Sequence, residues 1–161
     1  MNLQEYFEVA HENAKQAIAK PSDLRLAINA ILTLDGFFGT LHAELFERGI
    51  VHEPRDDRWK ETIAEASKSY RVLRDAAYAL KHGVLTHSKP RLVRRSEHIH
   101  TLPTSFDSAT FDRDTFDTEQ VWIEGCDTDY RADEVITIVV ELAKERCGPI
   151  VAAGRPGDSQ S

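Results

Sequence analysis

Apolar residues recur at helical spacing through most of this chain and lose that spacing in one central stretch. Leu3, Phe7, Ala10, Ala14 and Ala17 form a stripe that predicts a helix from about Asn2 to Lys20, ended by Pro21. Ser22 or Asp23 then caps a second helix. Its Leu24, Ile28, Ile31, Leu34, Phe38, Leu41 and Leu45 share one side, and Gly49 suits the left-handed position after its end. Asp56 or Asp57 is placed to cap a third helix that continues to His82, with Gly83 as its stop. Along it Trp59, Ile63, Ala66, Tyr70, Leu73, Ala77 and Leu80 alternate steps of four and three, the pattern of a helix packed on other helices. Short connections between long helices imply an antiparallel, up-down-up arrangement.

From Leu85 to about Arg131 the helical period disappears, Pro90 and Pro103 interrupt the chain and β-branched residues rise. Thr118 to Glu124 reads as a strand with Val121 and Ile123 on one face and Trp122 on the other, and Arg91 to Thr101 as its antiparallel partner. Between them Phe106-Asp107, Phe111-Asp112 and Phe116-Asp117, with Asp114, form an echo that anchoring phenylalanines and turn-forming aspartates explain. The glycine and terminal glutamate of a calcium loop are missing there. A last helix, about Asp133 to Arg146, carries Val135, Val139 and Leu142 and is expected to stop at Gly148 and Pro149. The expected fold class is α-rich (α+β): an antiparallel helical bundle of three long helices plus a C-terminal helix, with a small β-hairpin-like insertion over about 85–131. Residues 1–148 form one domain in this reading, and 149–161 a flexible tail.

With 161 residues, 41% hydrophobic and 29% charged, the chain suits one folded domain with a real core. A net charge of −7 argues against broad coating of nucleic acid, which depends on neutralising phosphates. The densest basic run is Lys81, Lys89, Arg91, Arg94 and Arg95, with His82 and His87 interspersed. It reads first as a solvated connector and second as a nucleic-acid contact. The N-terminal residues lack the basic and apolar regions of a secretory signal, and no segment reads as a membrane span, so a soluble, cytoplasmic protein is expected. Cys126 and Cys147 have no Cys-x-x-Cys partner, so reduced, partly buried thiols are expected and no metal, redox site or cofactor.

Candidate chemistry concentrates on the third helix. At ~100° per residue, Arg71, Asp75, Tyr78 and His82 fall within roughly one sixth of its circumference, beside the apolar seam. If the helices pair antiparallel, Asp35 lies level with Tyr70 and Arg71, with His11 one turn away. This predicts a partly buried network of Asp35 with Arg71 or Arg74, adjoined by Asp75, Tyr78 and His11. The network serves helix register in the first reading and acid–base chemistry in the second. His11, His42 and His82 lie beside the seams of three helices. The same registry separates the levels of His42 and His82 by about 30 Å, so they cannot share an ion. His98 and His100 would share one face of a strand and offer a metal pair without an evident third ligand. No phosphate loop, nucleophile elbow or His-Glu-x-x-His signature is present.

The segment RDAAYALKH, Arg74 to His82, resembles the C-terminal helix motif of the HEPN superfamily, compact helical bundles in which an arginine followed by a polar residue precedes a histidine on the same helix. Asp75 supplies the polar residue, and the interval to His82 is one residue longer than the family pattern. The resemblance implies either a metal-independent ribonuclease paired across a homodimer or an inactive relative that binds nucleotides, RNA or protein partners. In the active case it implies that Arg74 steadies phosphate charge, His82 handles the proton and Asp75 orients the helix face. The rival expectation, and the favoured one, is a non-enzymatic bundle that associates with itself or another protein through its first or third helix.

Overall fold

The computed structural model describes residues 1–85, 91–103 and 119–152. Among these residues the chain is mostly helical, with a three-stranded antiparallel sheet, an α-rich α+β architecture. Helix α1 (Leu3–Ala19) starts with a capping box: Asn2 Oδ1 accepts the Glu5 N–H and the Glu5 carboxylate accepts the Asn2 N–H, both at 2.8 Å. Its buried Ala10, Ala14 and Ala17 are small enough to let it lie close along α2 (Leu24–Glu47), and Leu3 is buried at its start. Asp23, rather than Ser22, caps α2 by accepting the Leu26 N–H. Gly49, at φ 70°, ends it as expected: the Gly49 and Ile50 N–H groups bond back to the carbonyls of Phe46 and Leu45, which satisfies the last turn.

The single third helix expected from the stepped pattern is two helices, α3 (Asp56–Ala66) and α4 (Lys68–His82). Ser67 (φ −134°, ψ 109°) closes α3 and caps α4, its hydroxyl accepting the Tyr70 N–H. Trp59, Ile63, Tyr70, Leu73 and Ala77 are buried on either side of the break, so each half keeps its apolar face, while Ala66 at the break is exposed. Asp56 and Asp57 lie in the first turn of α3, not at its cap. Arg55 holds the cap position without a side-chain bond to the helix backbone and instead pairs with the Asp57 carboxylate of the first turn. Gly83, at φ 75°, terminates α4.

Strand β1 (Ile99–Pro103) pairs with β2 (Glu119–Glu124), which pairs with β3 (Asp129–Arg131), in that spatial order. Ile99 faces Ile123 and Trp122 faces Arg131. As the alternation predicts, Val121 and Ile123 are buried and Trp122 lies half-buried on the other face. The strand expected over Arg91–Thr101 begins at Ile99, because residues 96–98 form a 3-10 turn, and β3 extends the expected hairpin to three strands. Val121 N–H donates to the Pro21 carbonyl, which ties β2 to the α1–α2 turn. Helix α5 (Ala132–Ala152) runs through Gly148 and Pro149, where a stop was expected. A proline this near the end removes one donor from a helix whose earlier turns are held by buried Val135, Ile136, Val139, Ala143 and Cys147.

The core gathers Ile31, Leu34, Phe37, Phe38 and Leu41 of α2, Tyr70, Val72 and Leu73 of α4, Ile136 and Val139 of α5, and Val121 and Ile123 of β2. This central role makes α2 apolar: its best 18-residue window has a mean hydropathy of 1.3, enough by length and composition to cross a membrane, contrary to the reading that no segment reaches that mark. In the fold 44% of that window is buried inside the protein. The Phe-Asp echo over 104–118, residues 86–90 with His87 and Lys89, and the expected tail beyond Ala152 lie outside the described residues.

Candidate functional site

The residues singled out on α4 engage separate partners, and not those that the antiparallel registry predicts. Arg74 and Asp75 are each 3% exposed. Arg74 Nη1 donates to Glu61 Oε2 at 2.6 Å and Nη2 to the Asp57 carbonyl at 2.9 Å, so its guanidinium is turned into α3. Arg71 reaches the same Glu61 carboxylate at 3.5 Å. Burial is the largest influence and works against the Arg74 charge, but the Glu61 hydrogen bond and the Glu61 charge, with smaller help from Tyr70 and Tyr78, together outweigh it and leave its pKa above the ordinary arginine value.

Asp35, expected to pair with Arg71 or Arg74, pairs with lysines instead. Its Oδ2 accepts from Lys81 Nζ at 2.7 Å and its Oδ1 from Lys60 Nζ at 3.3 Å, and Lys60 also donates to the Asp35 carbonyl at 2.9 Å. The registry assumed one continuous helix from Asp56 to His82. The break at Ser67 places α3 independently, and α3 brings Lys60 to Asp35 and Glu61 to Arg74. Lys60 and Glu61 are therefore the residues that the sequence reading misses. The available signal was the Asp56/Lys60 spacing of one helical turn beside Trp59, a spacing that the 3.9 Å Lys60–Asp56 contact uses.

Asp75 serves a different contact. Its Oδ1 accepts from Arg91 Nη1 and its Oδ2 from the Leu92 N–H, both at 2.7 Å, which fastens the segment leading to the sheet onto α4. The Arg91 guanidinium lies 4.7 Å from the Tyr78 ring centre, and that of Arg74 5.8 Å. His82 is exposed, its ring 5.9 Å from that of Tyr78. His11 stands apart from the network: it stacks on Phe7 at 5.7 Å and lines a groove of about 300 Å³ between α1 and α5, with Lys15, Ile18, Val140, Glu141 and Lys144.

The basic residues do sit beside the end of α4, because Leu85 N–H donates to the Arg94 carbonyl and Ser96 N–H to the Gly83 carbonyl. Their charges are mostly engaged: Lys81 with Asp35, Arg91 with Asp75 and Arg95 with Glu97, while Arg94 is exposed without an ionic partner among the described residues. His98 lies in the 3-10 turn, so it does not share a strand face with His100. Both ring nitrogens of His100 have neighbours, the Glu97 carbonyl at 3.2 Å and the Glu124 carboxylate at 3.3 Å. Among the described residues no group of three His, Cys, Asp or Glu side chains is arranged to hold a metal ion. His42 is buried, with Nε2 2.7 Å from the Glu53 carbonyl and its ring against Trp59. Both thiols are free: Cys147 is buried and its pKa raised by burial, whereas Cys126 is exposed rather than partly buried.

Chemically, this arrangement ties α2, α3, α4 and the sheet connection together through α4. Its one arginine in the motif position presents its hydrogen-bonding nitrogens inward, and the histidine of the same motif faces solvent. No protein-family model, curated protein or solved structure matches this chain.

Proposed function

We propose that this protein is a non-enzymatic interaction module, a single-domain helical bundle that associates with a second copy of itself through the face formed by α1 and α5. The observation that carries the non-enzymatic reading is the engagement of Arg74, 3% exposed with both terminal nitrogens bonded to α3. To contact a phosphate it would have to leave both Glu61 and the Asp57 carbonyl, which costs a nearly buried guanidinium its partners. The α1–α5 groove supports the choice of face. Ala14, Ile18 and Val140 give it an apolar floor, and Lys15, Lys144 and Glu141 place both signs of charge at its rim. Lys144 pairs with Glu141 at 2.7 Å within the same copy, which leaves the apolar floor as the part of this face that a second copy would cover. Free Cys126 and Cys147 fit a reducing, cytoplasmic setting.

Light scattering on the eluting protein tests the association: a dimer is expected for the native chain and a monomer for Ile18→Asp, a substitution at a residue 38% exposed. A native monomer at tens of micromolar would refute self-association. The HEPN-like alternative, a metal-independent ribonuclease or RNA-binding protein using Arg74 and His82, draws support from exposed His82 beside Tyr78 and from exposed Arg94 at the end of the same helix. Labelled single-stranded RNA incubated with stoichiometric protein is expected to stay intact. Cleavage that disappears in His82→Ala would make the ribonuclease the correct reading.

A further inference from the structure

Two buried polar atoms of α4 have no hydrogen-bond partner among the described residues: Tyr70 Oη and Arg74 Nε. Their residues are one helical turn apart, so both side chains leave the same side of the helix. Tyr70 is fully buried, its ring 4.5 Å from that of Phe38 on α2. Arg74 is turned toward α3, where Nη1 and Nη2 are occupied by Glu61 and the Asp57 carbonyl and only the Nε–H is left over. The two orphaned atoms do not bond to each other, although an Nε–H and a phenol oxygen are chemically matched. Folded proteins rarely leave such groups dry.

We infer that an internal water molecule bridges Arg74 Nε and Tyr70 Oη at the junction of α2, α3 and α4. The chemistry of the two atoms selects it. Arg74 Nε can only donate and the phenol can donate or accept, so the bridging group must accept one bond and take either role in the other. Carboxylates nearby are already committed, Glu61 to Arg74 and Arg71 and Asp35 to Lys60 and Lys81. A halide is the rival occupant, since two carboxylates there face four cations, two of them partly exposed. Burial also keeps the Tyr70 pKa above that of an ordinary phenol, so the hydroxyl retains its proton to share. The water would complete the bonding of all three guanidinium nitrogens and lock Arg74 in its inward position. This inference stands on the orphaned atoms alone and holds whether or not the protein self-associates.

Tyr70→Phe in the full chain tests it through the sign of a melting shift. If the water is there, the phenyl ring takes a partner from it and Tm falls, by roughly 2–4 °C for a chain of this size. If the phenol is dry, the same substitution removes an unsatisfied group from the core, and an unchanged or higher Tm overturns the proposal. A crystal structure that resolves solvent supplies the second reading. Density about 2.7–3.2 Å from both atoms in the native protein is expected. An empty junction overturns the proposal, and so does an anomalous peak at that position in bromide-soaked crystals, which would identify a halide instead.

Discussion

At the junction of α2, α3 and α4, the Asp35 and Lys60 side chains are 2% and 8% exposed and meet at 3.3 Å. Where the β2–β3 turn meets the start of α4, Lys68 and Asp127 meet at a shorter 2.8 Å but are 62% and 38% exposed. Tyr130 reinforces that outer clamp by donating to Asp127 and by lying under the Lys68 ammonium, 5.5 Å from its ring centre. The shorter pair is the weaker one for stability. In water each partner of the clamp is solvated when apart, whereas a charge left alone at the junction has no solvent to turn to. Desolvation, not distance, ranks the ion pairs of this protein.

That ranking orders the expected losses. Asp35→Ala leaves the buried Lys60 ammonium only the residue 35 carbonyl and the more distant Asp56 carboxylate, and is expected to cost on the order of 3–5 kcal/mol, measured by urea unfolding. A loss below about 1 kcal/mol would remove the contrast between the two regions. Asp75→Ala strands the Leu92 N–H and the Arg91 guanidinium together, with an expected loss of about 1–3 kcal/mol. Because that contact fastens the approach to the sheet, faster hydrogen exchange in β1 should accompany it. Ser67→Ala removes the cap at the break between α3 and α4 and should cost about 1 kcal/mol, with the helical content of both halves retained by their separate apolar faces.

The smallest effect belongs to the outer clamp, and pH exposes it. Hydrogen bonds from Lys68 and then Tyr130 hold the Asp127 carboxyl at about 2, below its ordinary value of 3.8. A lowered carboxylate pKa contributes stability above pH 3.8, which is lost as the pH falls toward about 2. Native protein and Lys68→Met should therefore differ in Tm near neutral pH and converge near pH 2. Added salt should narrow the difference at neutral pH while leaving the Asp35→Ala loss almost unchanged. A gap that persists at pH 2 would assign the Lys68 effect to packing on Tyr130 instead.

Much of the scaffold was readable in the chain because its signals are local. Asp23, one of two expected caps, caps α2, Gly49 and Gly83 take the left-handed turns after α2 and α4, and Val121 and Ile123 alternate into the core, whereas Asn2, read as the first helical residue, is the cap of α1. The break at Ser67 was not readable, since the apolar stripe continues in step across it and only the serine's capping bond separates the halves. The continuation of α5 past Pro149 was also hidden, because packing of its earlier turns outweighs a local stop signal.

The residues of the candidate site were largely recognisable in advance, as Asp35, Arg71, Arg74, Asp75 and Tyr78 on or beside an apolar seam, but their pairing was not. One-dimensional periodicity states which face of a helix a side chain occupies. It does not state how far α3 and α4 are displaced from each other, and that displacement delivers Lys60 to Asp35 and Glu61 to Arg74. Residue order alone thus decides where helices start, stop and turn their apolar faces, since those depend on neighbours within a turn or two. Which charges meet, which are stripped of water and whether Arg74 points inward depend on contacts across 13 to 46 positions of chain, and those arise only when the core closes.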